Sequence, residues 1–152
     1  MLDVLHNPVF WAAMIGWSLA QFLKPLIGYL RQREWDWSLL LRAGGMPSSH
    51  SALVAATAHA IGLHEGFDTS LFALAVTVAV VVIYDATGIR REAGKHAALI
   101  NAIIQDLREG HPLREETQKQ LKEVLGHTPM EAFAGTLLGI AIAQVLWFVW
   151  GF

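Results

Sequence analysis

The sequence contains no cysteine and few charged residues. Without cysteine among its 152 residues, the chain can form neither disulfide bonds nor thiolate metal sites. Charged side chains make up 16% of the residues, against roughly 25% in a soluble domain, while 54% are hydrophobic and the mean hydropathy is +0.41. The net charge of −2 gives no reason to expect nucleic-acid binding. These shortages predict one membrane-embedded domain over residues 1–152.

The first ten residues, MLDVLHNPVF, contain no basic residue ahead of an apolar run, so we expect no cleaved signal peptide. Apolar stretches of about the 20 residues that cross a bilayer lie at 9–30, 49–63, 69–84 and 129–150, the second being short. Small residues at helical spacing in the second stretch favour close helix packing in lipid: Ala52, Ala55, Ala56 and Ala60. The expected fold is therefore all-α, a polytopic membrane bundle of about four transmembrane helices.

Lysine and arginine are distributed unevenly between the connections. Residues 31–42 contain three arginines and residues 90–122 contain seven basic residues, whereas the connection HEGFD at 64–68 contains none. The positive-inside rule therefore places both basic connections in the cytoplasm and both termini outside. Helical patterns over 93–107 and 113–124 predict a cytoplasmic helical extension. The expected location is the plasma membrane of a bacterium.

Polar segments lie at the predicted cytoplasmic end of every span. GGMPSSH at 44–50 precedes the second span, DATGIRR at 85–91 ends the third, and GHTPME at 126–131 opens the fourth. Lys24 lies near the same end of the first span. Polar residues in unrelated loops would not be expected to lie at the same end of every span. We therefore expect these segments to form one site that faces the cytoplasm.

The residue types in this set suit phosphate chemistry. Cations that match phosphate oxygens are Lys24, Arg42, Arg90 and Arg91. A flexible glycine and two hydroxyls at a helix start favour an anion, namely Gly45, Ser48 and Ser49. His50 and His127 suit proton transfer or nucleophilic attack. Glu131, four residues after His127, would share its helix face and fix its tautomer. Asp85 is expected to hold Arg90, Arg91 or His50 in place.

Each residue also has a simpler interpretation. The serines could cap a helix, Arg90 and Arg91 could anchor the topology, and Lys24 could extend to the membrane interface. His127 and Glu131 could form an ordinary surface pair. Only their joint occurrence at one level favours a site. His59, within the second span, is better explained as a packed polar residue than as a catalyst.

Three segments, GGMPSSHSA, YDATGIRREAGKHA and LGHTPMEAFAGTLLG, resemble the divergent branch of the type 2 phosphatidic acid phosphatases, also described as acid phosphatase/vanadium-dependent haloperoxidase related. The broader superfamily carries K-x6-R-P, P-S-G-H and S-R-x5-H-x3-D. By this resemblance Pro47–His50 stands for P-S-G-H, with Ser49 in place of glycine, and His127–Glu131 for H-x3-D, with glutamate in place of aspartate. Lys24 lacks the R-P that would follow it, and no S-R precedes His127 at the family spacing.

The resemblance implies a helical enzyme that hydrolyses lipid phosphates without a cofactor. His127 would be the nucleophile, Glu131 would orient it, and His50 would protonate the leaving group. The expected function is a membrane lipid-phosphate phosphatase acting on a monoester or diphosphate through a phosphohistidine. The alternatives are a non-catalytic carrier or binder of anionic lipids, and a lipid diphosphatase with Mg²⁺ held by Asp85 and Glu131. Expected partners are the bilayer, a lipid phosphate or polyprenyl diphosphate, and a second copy in a homodimer.

Overall fold

The computed structural model describes residues 3–41, 44–88 and 126–151, with helical positions at 94, 96–97, 99–101, 103–105 and 107. Within these residues the secondary structure is helical, which confirms the predicted all-α class. The long helices are α1 (Pro8–Gln32), α2 (Ser49–Glu65), α3 (Ser70–Thr87) and α4 (Pro129–Trp150). Two 3-10 helices cover Asp3–His6 and Trp37–Leu40.

Each long helix begins at a polar residue whose side-chain oxygen accepts a hydrogen bond from a backbone N–H three residues further on. These N-caps are Asn7, Ser48, Thr69 and Thr128. An N-cap of this kind is worth about 1 kcal/mol, because it satisfies a backbone donor that has no partner inside the helix. The helix starts are therefore set by local sequence, close to where the apolar stretches begin.

The central helix of the bundle is α2, which packs against α1, α3 and, most extensively, α4. From residue 49 to residue 63 it has no exposed position. Glycines on the neighbouring helices allow the close approach: a Cβ atom on Gly139 would lie 2.8 Å from the backbone nitrogen of Ala56, and one on Gly16 would lie 3.2 Å from the carbonyl oxygen of Ala52. Small residues at helix contacts are typical of membrane bundles.

The core of the described bundle is made of small side chains, while its large apolar side chains point outward. Twelve of the thirteen buried hydrophobic residues are alanines. Leu74 and Val81 of α3 and Phe133 and Phe148 of α4 are each more than half exposed. In the described part of the chain, α3 and α4 are long and apolar enough to cross a membrane. Of the four predicted spans, two are therefore supported by helix length and hydropathy, and the other two stay predictions.

After α1 the chain folds back along the same helix. Arg33 adopts a left-handed conformation at the C-cap, and the Nε2 atom of Gln21 donates to the carbonyl of Leu40 at 2.7 Å. This return brings the start of α2 level with Lys24, inside the last third of α1. The described positions between 94 and 107 are helical, as predicted. The helix predicted at 113–124 lies outside the described residues.

Candidate active site

The polar segments that the sequence places at one level do meet at one end of the bundle. The backbone N–H of His127, just before α4, donates to the carbonyl of Ala86 at the end of α3, at 2.9 Å. The N–H of Ser48, just before α2, donates to the carbonyl of Glu131 in the first turn of α4, also at 2.9 Å. The Nζ atom of Lys24 on α1 lies 3.4 Å from the Oγ atom of Ser49. All four helices therefore contribute to this junction.

His127 is held in one orientation at the junction. Its side chain is almost fully buried, and its Nδ1 atom lies 3.3 Å from the Oε2 atom of Glu131. Because an ionised carboxylate can only accept, Nδ1 carries a proton, and in the neutral ring Nε2 then carries the lone pair. The Nε2 atom is buried and has no hydrogen-bond partner among the described residues. The imidazole thus presents an unused lone pair inside the site.

The carboxylate of Glu131 is itself fixed by the start of α4. Its Oε2 atom accepts a hydrogen bond from the N–H of Thr128 at 3.0 Å, while the Oγ1 atom of Thr128 accepts from the N–H of Glu131 at 3.3 Å. This reciprocal pair is a capping box. The predicted pairing of His127 with Glu131 is therefore present, and it is part of a helix start rather than a surface pair.

His50 faces His127 across the junction. The two ring centroids are 5.8 Å apart and the ring planes meet at 63°. His50 is half-buried in the first turn of α2. The two imidazoles come from segments 77 positions apart in the sequence, so the fold alone brings them together. A group placed between them could meet one ring as a nucleophile and the other as a proton donor.

Lys24 supplies the positive charge of the described site. It is only 2% exposed, although lysine is rarely buried, and it lies close enough to Glu131 for the two charges to attract each other. Its stem passes the backbone of Gly45, where an added Cβ atom would lie 3.8 Å from the Lys24 Cδ atom. Gly44 and Gly45 both have positive φ angles, and the Met46–Pro47 peptide bond is cis. The glycines therefore permit a loop conformation that other residues rarely adopt.

The two serines have different roles. The hydroxyl of Ser48 is fully buried and caps α2, accepting from the backbone N–H of Ser51 at 3.2 Å and from its hydroxyl at 3.0 Å. Ser48 is therefore a helix cap, as in the simpler interpretation of the two serines given above. Ser49 is also buried, but its hydroxyl faces Lys24. Of the two side chains, Ser49 is the one directed toward the cation.

Of the remaining predicted residues, Asp85 belongs to the described structure. Asp85 is half-buried in the last turn of α3, next to Ala86, whose carbonyl binds the His127 backbone. Arg42, Arg90 and Arg91 lie outside the described residues. In the part of the chain that the structure describes, no three histidine or carboxylate side chains come together as a metal cluster. His59 pairs its Nε2 atom with the Oε1 atom of Gln144 at 3.0 Å, which agrees with its interpretation as a packed polar residue.

The sequence interpretation missed Gln21. This residue lies three positions before Lys24 in α1, and its Oε1 atom is buried without a hydrogen-bond partner among the described residues. Residues three apart are neighbours on a helix surface. The sequence already contained a signal for it, because Gln21 is an amide within an apolar stretch, one helical turn from Lys24.

In the part of the chain that the structure describes, helices with outward-facing apolar side chains surround a polar junction at one end of the bundle, which is the arrangement expected of an integral membrane protein. Residues 5–142 match the family model described as the divergent PAP2 family, and the chain belongs to this family. An uncharacterized membrane protein of Bacillus subtilis (strain 168), YuiD, is 40% identical over 153 residues, covering 95% of this chain and 97% of the relative. No solved structure matches the chain significantly. The family predicted from the three sequence segments is thus confirmed.

Proposed function

We propose that this protein is a membrane phosphatase that hydrolyses a lipid phosphate through a phosphohistidine. The observation that carries the proposal is the pair of facing histidines, of which His127 is buried. His127 has Nδ1 fixed by Glu131 and Nε2 unused, and His50 lies across from it at a ring separation of 5.8 Å. A buried polar atom without a partner is costly and needs an explanation. A nucleophile that waits for substrate provides one, and membership of the divergent PAP2 family is consistent with it.

In the first step, the Nε2 lone pair of His127 attacks phosphorus in line with the leaving oxygen. The N–P bond forms as the P–O bond to the lipid breaks, and His50, protonated at the start, gives its proton to the departing oxygen. Glu131 stabilises the cationic ring that develops on His127. Lys24, beside Ser49, neutralises charge on the transferring phosphoryl group. Preorganised charge of this kind is usually the largest contribution to catalysis.

In the second step, water hydrolyses the phosphohistidine. His50, now neutral, accepts a proton from the attacking water, and the P–N bond breaks to release inorganic phosphate. Both histidines return to their starting protonation states, so the cycle consumes one water and needs no further reactant. Arg42, Arg90 and Arg91 are proposed to complete the phosphate site. Asp85 is proposed to hold one of these arginines or His50, because it lies in the helix turn that binds the His127 backbone.

The same proposal extends to the membrane arrangement. In it α1 and α2 cross the bilayer with α3 and α4, and the basic connections place the site at the cytoplasmic face of a bacterial plasma membrane. The substrate then lies with its chains in the bilayer and its phosphate at Lys24. Phosphatidic acid, phosphatidylglycerol phosphate and polyprenyl diphosphates all meet this description, and the protein is proposed to act as a homodimer.

The decisive experiment measures phosphate release by purified protein in detergent, from a panel of these lipids, with EDTA present. We expect release that is lost in His127→Ala and retained in His64→Ala. The matched control removes an exposed histidine at the far end of α2, beside Glu65. Acid-labile labelling of wild-type protein by ³²P-lipid, absent in His127→Ala, would support the covalent intermediate.

Three results would contradict the proposal. Turnover that survives His127→Ala would exclude this residue as the nucleophile. Release only when Mg²⁺ replaces EDTA would favour the metal-dependent diphosphatase. Tight binding of anionic lipid by folded wild-type protein, without release under either condition, would favour the carrier.

A further inference from the structure

The buried amide oxygen of Gln21 suggests what the proposed site recognises beyond phosphate. Its Nε2 atom donates to the carbonyl of Leu40 at 2.7 Å. Because a carbonyl can only accept, the amide orientation is fixed and Oε1 must be the opposite atom. That oxygen is buried and accepts no hydrogen bond from any described residue. Gln21 therefore presents a fixed acceptor without a donor.

Gln21 lies one helical turn from Lys24, nearer to the N-terminal end of α1. Gln21 and Lys24 are three residues apart on α1, which places their Cβ atoms about 5–6 Å apart and separates them by about 4.5 Å along the helix axis. From the junction, α2, α3 and α4 extend toward the N-terminal end of α1, where a separate pocket joins Pro8, Ile61 and Leu71. Gln21 thus lies deeper in the bundle than Lys24.

A lipid bound by its phosphate at Lys24 must pass this level. Its acyl or prenyl chain leads from the phosphate into the bilayer, so the first carbons after the phosphate ester lie near Gln21. A buried acceptor at that position favours a ligand that brings a donor and disfavours one that leaves the acceptor unpaired.

We infer that the Oε1 atom of Gln21 accepts a hydrogen bond from a hydroxyl on the carbon next to the phosphate-bearing carbon of the lipid. The inference rests on the proposed function and narrows it to lipid phosphate monoesters with a free vicinal hydroxyl. Phosphatidylglycerol phosphate and lysophosphatidate have this hydroxyl. Phosphatidic acid carries an acyl ester there, and polyprenyl diphosphates carry no oxygen there, so both are poorer substrates.

The test compares two lipids that differ only in that hydroxyl: 1-oleoyl lysophosphatidate and the oleoyl ester of 3-hydroxypropyl phosphate, in the same detergent micelles. In wild-type protein we expect kcat/KM to be about tenfold higher for the hydroxyl lipid, the change typical for one buried hydrogen bond. In Gln21→Met, which has similar volume and no acceptor, the ratio should fall to about one.

Gln144→Met is the matched control. Gln144 is also a glutamine within a predicted span, but its Oε1 atom is paired with the Nε2 atom of His59. Its ratio should equal that of wild type. Each ratio is taken within one variant, so it does not depend on the fraction of folded protein. A wild-type ratio near one, as expected if only water bonds Gln21, would overturn the inference while leaving the phosphatase intact. So would an unchanged ratio in Gln21→Met. Failure of wild type to hydrolyse either lipid would instead contradict the proposed function itself.

Discussion

The close contact between Gly135 of α4 and the backbone of α2 is expected to set the distance between His50 and His127. Substitution of Gly135 tests this directly. A Cβ atom at Gly135 would press against the carbonyl oxygen of Ser48 and would lie 3.1 Å from the Cβ atom of Ser51. Since the main obstacle is backbone, it cannot be relieved by a side-chain rotation. In Gly135→Ala, α2 and α4 must move apart at the level of the site.

The expected magnitude has two parts. Overpacking of a close contact costs about 1–3 kcal/mol. The hydrogen bond from the Ser48 N–H to the Glu131 carbonyl, 2.9 Å long, would stretch, which adds about 1 kcal/mol. We therefore expect Gly135→Ala to lose about 2–4 kcal/mol of stability. Because Ser48 precedes His50 and Glu131 holds His127, a shift of about 1 Å should lower turnover about 100-fold.

Thermal unfolding in detergent and phosphate release at saturating lipid together measure both effects. Gly16→Ala is the matched control, because its Cβ atom would lie 3.1 Å from the Cβ atom of Ala56 and 3.2 Å from the carbonyl oxygen of Ala52, and a shift of a few tenths of an ångström relieves both contacts. It should lose less stability and keep turnover close to that of wild type. Wild-type stability and turnover in Gly135→Ala would refute the argument that this contact sets the spacing.

Four further changes separate the roles of individual side chains. Thr128→Ala removes the α4 cap and should lower the free energy of unfolding by about 1 kcal/mol, measured by thermal melting. Glu131→Gln should lower kcat by about 10²–10⁴-fold with little change in KM, because the imidazolium of His127 loses its counter-charge. His50→Ala should lower kcat/KM, which reports the phosphorylation step, much more for an alkyl phosphate than for p-nitrophenyl phosphate, whose leaving group needs no proton; equal losses of kcat/KM would contradict the general-acid role. His59→Leu leaves the amide of Gln144 unpaired and should cost about 1 kcal/mol in melting experiments, without reducing turnover per folded molecule.

Helix positions were largely predictable because local signals and apolar length agree. Proline and an N-cap threonine open α4 at the residue where the apolar stretch was expected to begin. The separation of four residues between His127 and Glu131 likewise predicted their contact, but His127 precedes the N-cap of α4 and does not share a helix face with Glu131. Local chemistry of this kind can be read from sequence, because its partners lie within one helical turn.

Contacts between helices were harder to predict. The small residues of α2 were recognised as a packing face, but Gly135 and Gly139, which meet that face from α4, were read only as part of an apolar span. The double use of Ser48, whose hydroxyl caps α2 while its N–H bonds Glu131, could not be predicted either. Such a contact depends on how two helices cross, and the spacing of apolar residues along the sequence does not determine that geometry.

Glu131 shows why folding and the proposed chemistry depend on the same contacts here. Its carboxylate closes the α4 capping box and holds His127, while its carbonyl accepts from Ser48 and so fixes the start of α2. The longer side chain of glutamate suits this arrangement, because a capping box requires the N3 residue to reach back to the N-cap N–H. The shorter aspartate of the related H-x3-D motif would give up one of the two contacts. Glutamate suits this position because one carboxylate must both close the capping box and bind the imidazole of His127. Glu131→Asp should therefore lower stability and turnover together.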